Sequence, residues 1–198
     1  FDNKKELLRQ VKKMMEDGVD IIDVGGYSTR PNAADITVRV ELRRVIPIID
    51  EIKSKWPDSI ISIDTFRAEV AQEAITNGAD IINDISGGDL DPDLPQVVAT
   101  AKVPYIIMHT RGTPQTMNQL TDYSDIAVDV LSELQQKVIR FEKKGIKDII
   151  IDPGFGFAKT LDQNYQLLNK LTTLHAIERP ILVGVSRKSM IWKLLSIT

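Results

Sequence analysis

Six polar side chains share one circumstance in this sequence: Asp23, Asp64, Asn83, His109, Asp152 and Lys188 all follow directly on, or lie a few residues after, a short apolar run. Ile149-Ile-Ile runs into Asp152, and Pro153, Gly154 and Gly156 then stop the strand and let the chain turn sharply. Acids and an amide held at such positions offer hydrogen-bond acceptors, and Lys188 offers donors. Carboxylates facing an amidine-like ring edge make paired hydrogen bonds. Thr29-Arg30 and the helix start after Ser186 supply anion sites. This chemistry suits a polar aromatic heterocycle bound deep, with an anionic group near the mouth.

Each residue also has a plainer reading. Asp64 could assist the following helix N-terminus, and Asn83 and Asp84 could satisfy loop amides. His109, before a polar loop, reads as structural more readily than catalytic. Tyr27 and Phe157 are either loop packing or ligand walls. Lys188 is the hardest to dismiss, because the first turn of a helix disfavours a cation.

The elements that must position these groups alternate along the chain. Leu7, Leu8, Val11, Met14 and Met15 recur at helical spacing behind an Asn3/Glu6 capping pair. Further helices are expected over about 37–55, despite Pro47, from Thr65 as N-cap, over about 94–101, over about 125–144, and from the Thr160/Gln163 capping box. A last helix is expected after Ser186. Strands are expected at 19–24, 60–63, 79–82, 103–108, 149–151 and 180–183. Gly18, Gly78 and Gly145 each end a helix just before a strand. Six strands alternating with seven helices mean a parallel sheet with helical crossovers, either a barrel or an open doubly wound sheet. No Gly-x-Gly-x-x-Gly follows the first strand, which weakens a dinucleotide fold.

The bulk properties narrow the function. At 198 residues the chain is one domain with a sizeable core, and a net charge of −3 gives no support for nucleic-acid or anionic-membrane binding. It has no cysteine, so thiolate metal sites and cysteine catalysis are excluded. No apolar run approaches the roughly 18 residues of a membrane span. A cytoplasmic protein is expected.

Six stretches, in order, resemble the dihydropteroate synthases of the folate pathway. They are Asp23-Val-Gly-Gly-Tyr-Ser-Thr-Arg-Pro31, Ser62-Ile-Asp-Thr65, Ile81-Ile-Asn-Asp-Ile85, Met108-His109, Asp152-Pro-Gly-Phe-Gly-Phe-Ala-Lys159 and Gly184-Val-Ser-Arg-Lys-Ser189. The resemblance implies a single α/β domain over 1–198, an eight-stranded (β/α) TIM barrel whose first and eighth strands are missing from this chain. It implies a transferase that condenses 6-hydroxymethyl-7,8-dihydropterin diphosphate with 4-aminobenzoate, giving dihydropteroate and diphosphate, with Mg²⁺. Sulfonamides would compete with 4-aminobenzoate, and two copies would form a homodimer. By motif, Asp64, Asn83, Asp152 and Lys188 would bind the pterin, with Met108 and Gly184 lining its slot. Thr29, Arg30, Pro31, Phe157 and Ser189 would form the aminobenzoate side. Asp64 and Lys188 would carry catalysis. The family's metal-binding asparagine and its diphosphate-binding Arg-Val-His lie in segments this chain does not contain, so no metal ligand is assigned here. The chain alone is therefore expected to recognise the pterin with little turnover. The competing readings are a corrinoid-type pterin methyltransferase domain and a non-catalytic pterin-binding module.

Overall fold

The described helices and strands share one hydrophobic core. In the computed structural model, which describes residues 4–28, 34–186, 188, 190 and 191, five strands run parallel. They are β1 (Ile21–Gly25), β2 (Ile60–Asp64), β3 (Ile81–Asp84), β4 (Tyr105–Met108) and β5 (Ile149–Asp152). Their spatial order follows their order in the chain, with no reversal. A doubly wound sheet reverses its strand order at a switch point. The unbroken order is therefore that of a barrel wall. The helices are α1 (Lys4–Glu16), α2 (Val38–Lys55), α3 (Ala68–Thr76), α4 (Leu94–Ala101), α5 (Ile126–Glu142) and α6 (Leu161–Asn169).

The two faces of the sheet divide by residue type. Ile22, Val24, Ile61, Ile63, Ile82, Tyr105, Ile107, Ile149 and Ile151 are buried in the core against the helices. Val45, Ile49 and Ile52 of α2 recur at helical spacing and are at most 1% exposed. Each such side chain contributes roughly 1.5–3 kcal/mol by leaving water. The alternate strand residues face the barrel interior. There Ile21 pairs with Ile60 at one end, and Gly25, Asp64 and Asn83 stand level at the other.

Local chemistry explains the helix bounds. Thr37 caps α2 by accepting from the Val40 N–H, and the helix continues through Pro47. Asp125 caps α5 by accepting from Ala127 and Val128. Thr160 and Gln163 form the reciprocal capping box of α6. The Asn3 half of the expected first box lies outside the described residues.

Two expectations fail. Thr65 does not cap α3: the helix starts at Ala68, whose N–H donates to Asp91 Oδ2 at 2.7 Å. Thr65 instead donates its hydroxyl to Glu41 at 2.8 Å. The expected sixth strand at 180–183 is a single bridge, Ile151 to Ile181. The Ile151 N–H donates to Pro180 and its carbonyl accepts from Leu182, after which the segment leaves the ladder. Of the last helix, Met190 and Ile191 are described.

Candidate active site

The interior ends of the strands bring together the polar groups expected there, in two unlike clusters. The first lies on β1–β3. Asp23 accepts from the Ser62 hydroxyl and, at 3.3 Å on each oxygen, from the Asn83 amide. Asn83 thereby commits its nitrogen and leaves its oxygen without a donor among the described residues. Asp64 is the register partner of both Gly25 and Asn83. Gly25 makes room for it, since a Cβ there would lie 3.2 Å from Asp64 Cβ and Oδ2. Among the described residues Asp64 has no hydrogen-bond partner. Burial raises its pKa well above the ordinary carboxylate range, and the charges of Asp23, Asp84 and Glu41 raise it further. Solvent reaches Asp23, but protein surrounds it closely enough for lost solvation to raise its pKa against the Ser62 and Asn83 hydrogen bonds.

Asp84, one residue beyond Asn83, points to the other face. It accepts from the Tyr105 hydroxyl at 2.7 Å, from Ser86 N–H and hydroxyl, and from Gly88 N–H. Its role is the plainer one, holding a loop.

The second cluster lies on β4 and β5. Met108 and Asp152 are register partners, and both are nearly buried. The Gly154 N–H donates to Asp152 Oδ1 at 2.7 Å, leaving Oδ2 without a partner among the described residues. Burial raises the Asp152 pKa, opposed by that N–H and by the charges of Lys188 and Lys159. Gly154 has φ +67° and approaches β4 so closely that a Cβ would lie 2.0 Å from the His109 carbonyl oxygen. Lys188 donates to the Phe155 carbonyl, and its ammonium sits 4.4 Å from the centre of the Phe157 ring. Burial lowers its pKa, and Asp152 works against that. A side chain at Gly184 would meet open space. Phe157 is half-buried, whereas Phe155 is wholly in the core.

His109 is not open to a ligand. It is fully buried, with Nε2 3.0 Å from Glu133 and Nδ1 2.9 Å from the Lys159 ammonium. Burial brings its pKa down to about 4, so it is neutral at physiological pH. Tyr27 also resolves as packing: its ring meets Phe66 edge-on at 5.1 Å and lies 5.3 Å from the Arg67 guanidinium. Lys159 carried no role in the sequence reading. It is nearly buried, and its partners are chiefly backbone carbonyls, which leave no trace in residue type. The expected Thr29, Arg30, Pro31 and Ser189 lie outside the described residues.

A parallel barrel wall with acids, an amide and a lysine at the C-terminal strand ends defines a class of small-molecule enzymes that work on that face. Residues 1–198 match the pterin-binding enzyme family, described as "Pterin binding enzyme". The chain is 46% identical over 197 residues to a dihydropteroate synthase of Synechocystis, covering 98% of this chain and 68% of that one. It superposes on the Yersinia pestis dihydropteroate synthase, solved as a sulfonamide drug complex, with TM-score 0.93 and 38% identity, over 98% of this chain and 71% of that one. For the Xanthomonas albilineans enzyme with 4-aminobenzoic acid the TM-score is 0.89 and the identity 36%, over 97% and 68% of the two chains. The chain spans 42% of a folate synthesis bifunctional protein of Arabidopsis thaliana, to which it is 42% identical over 203 residues and 95% of its own length. The chain belongs to the pterin-binding enzyme family, as a homologue of dihydropteroate synthase. The described wall is accordingly part of a TIM barrel.

Proposed function

We propose that the protein containing this chain condenses 6-hydroxymethyl-7,8-dihydropterin diphosphate with 4-aminobenzoate to give 7,8-dihydropteroate and diphosphate. The observation that carries this reading is a set of acceptors facing the barrel interior that have no partner among the described residues: Asp64, the Asn83 oxygen and Asp152 Oδ2. A pterin presents N–H donors along one edge, and such a ligand supplies what these groups lack. Asp152 and Asn83 fix the heterocycle, Met108 and the open side of Gly184 line its slot, and Lys188 donates beside Asp152.

The chemistry follows from charge. When the C–O bond to diphosphate breaks, the pterin methylene becomes cationic and the bonding pair leaves with diphosphate. Asp64, a poorly compensated carboxylate, stabilises that cation. The aniline nitrogen of 4-aminobenzoate then attacks and loses its proton. Phe157, with Thr29, Arg30, Pro31 and Ser189, forms the aminobenzoate side, where sulfonamides would compete. Lys188 helps hold the pterin and offers positive charge near Phe157.

Among the described residues no group of three or more His, Asp or Glu is placed to hold a metal ion. Mg²⁺ is commonly held by one or two carboxylates together with substrate phosphates and waters, so the diphosphate itself would supply much of its shell and the ion would neutralise the leaving group. No described helix is long and apolar enough to cross a membrane.

The test is product formation by the full-length protein from the pterin diphosphate and 4-aminobenzoate. Dihydropteroate release is expected without a corrinoid partner. Absence of product, or a requirement for the corrinoid, overturns the reading.

A further inference from the structure

We propose that Lys159 is a positioning residue for the pterin site, its ammonium tying the β5 loop that presents Asp152 and Phe157 to His109 at the end of β4. This rests on the pterin reading above and assigns Lys159 no contact with substrate.

The hydrogen-bond count carries the argument. Lys159 Nζ lies 3.0 Å from the Gly154 carbonyl, 3.0 Å from the Phe157 carbonyl and 2.9 Å from His109 Nδ1. The His109 carbonyl is farther, at 3.4 Å. The tautomer of His109 is set from its other side. Glu133, which also receives Arg111, is an ionised acceptor, so His109 Nε2 must carry the proton it shares with Glu133. Nδ1 is then bare and accepts. Three acceptors face Nζ at 3.0 Å or less, and an ammonium has three protons. A neutral amine has two, so one of these three ties would be lost, the Gly154 carbonyl keeping in any case the Phe157 N–H at 3.1 Å.

The tie acts where it matters for the ligand. Gly154 gives its N–H to Asp152 and its carbonyl to Lys159. The two groups belong to adjacent peptide planes joined at Gly154, so holding the carbonyl restricts how far the N–H that orients the Asp152 carboxylate can swing. The Phe157 carbonyl is held in the same grip, so both site residues of the loop depend on one cation.

The ammonium is held near its limit. Burial draws its pKa down to about 7, with Lys188 and Arg111 adding to the fall and Asp152 and Glu133 opposing it. Among the described residues, these four charges and neutral His109 are the titratable groups that bear on it from β4, β5, α5 and the flanking loops. As pH rises through this range the third proton is lost and the loop loosens.

The test uses the full-length protein and 6-hydroxymethylpterin diphosphate as probe, with affinity measured by calorimetry from pH 6 to pH 9. Lys159→Met should bind at least tenfold more weakly at pH 6. The wild-type advantage over this variant should shrink as pH rises, since the variant cannot titrate. Glu133→Gln removes a negative charge that favours the ammonium, so its loss of affinity should begin at lower pH than in the wild type. Unchanged affinity and pH course in Lys159→Met overturn the proposal. If that variant does not fold, an unmoved pH course in Glu133→Gln overturns it. Wild-type protein that fails to bind the probe overturns the pterin reading and this proposal with it. Wild-type binding with an unaltered Lys159→Met overturns this proposal alone.

Discussion

The two halves of the site solve opposite electrostatic problems. On β1–β3, the charges of Asp23, Asp84 and, from α2, Glu41 all bear on Asp64, which has no donor among the described residues. On β4–β5, the Lys159 and Lys188 ammonium groups are largely buried against backbone carbonyls. The first half leaves one acid, Asp64, without a donor among the described residues, while the other satisfies its cations internally. The first half is therefore the one that gains most from a donor-rich or cationic ligand. In the proposed pterin site the second would be the frame that sets where the ligand lies.

The largest test of this contrast concerns Glu41, the buried acid near Asp64 that pairs with a cation. Glu41 is fully buried and receives Arg67 at 2.8 Å. Arg67→Met strands that charge and should cost roughly 3–5 kcal/mol of stability, measured by urea unfolding. A loss below about 1 kcal/mol would mean that Thr65 alone suffices, and the crowding argument would weaken. Asp64→Asn comes next. If Asp64 stabilises a developing cation, turnover should drop by about 10²–10³-fold, measured as dihydropteroate formation at saturating substrates. An unchanged turnover removes Asp64 from the chemistry.

Asp152→Asn probes the framed half. Replacing a charged acceptor by an amide should weaken pterin binding roughly ten- to a hundredfold by calorimetry. Equal affinity would move the anchor elsewhere. The smallest effect is on stability. Because the folded-state pKa of Asp64 lies above its unfolded value, the ionised group opposes folding above that folded pKa. Asp64→Asn should therefore melt higher than wild type at neutral pH. The gap should narrow as pH falls and Asp64 takes up its proton. A gap that widens on acidification contradicts the direction of the shift.

Much of the frame is legible in residue order because it is local. Thr37, Asp125 and the Thr160/Gln163 pair cap the helices they precede, and Gly18, Gly78 and Gly145 all adopt positive φ before strands. The polar strand ends are equally visible, since each follows its own apolar run. The misses are long-range. Asp91, not Thr65, caps α3 from 23 residues away in sequence. By residue type Lys159 is one more loop lysine, and only the fold places it against His109, 50 residues earlier. The apolar run at 180–183 has strand composition, yet its neighbour accepts only one bridge. Composition specifies which residues can pair, but the geometry of the neighbour decides how far pairing extends.

Gly154 bears on how durable an inhibitor of this site would be. No side chain fits there, because the first carbon would collide with the backbone of the adjoining strand. A compound that rests on this turn leans on a surface that single substitutions cannot reshape without damaging the enzyme itself. At Gly184 the space beside the backbone is open, so a new side chain could enter the cavity and obstruct a drug while the fold stays intact. Resistance should therefore arise more readily on the Gly184 wall than on the Gly154 floor.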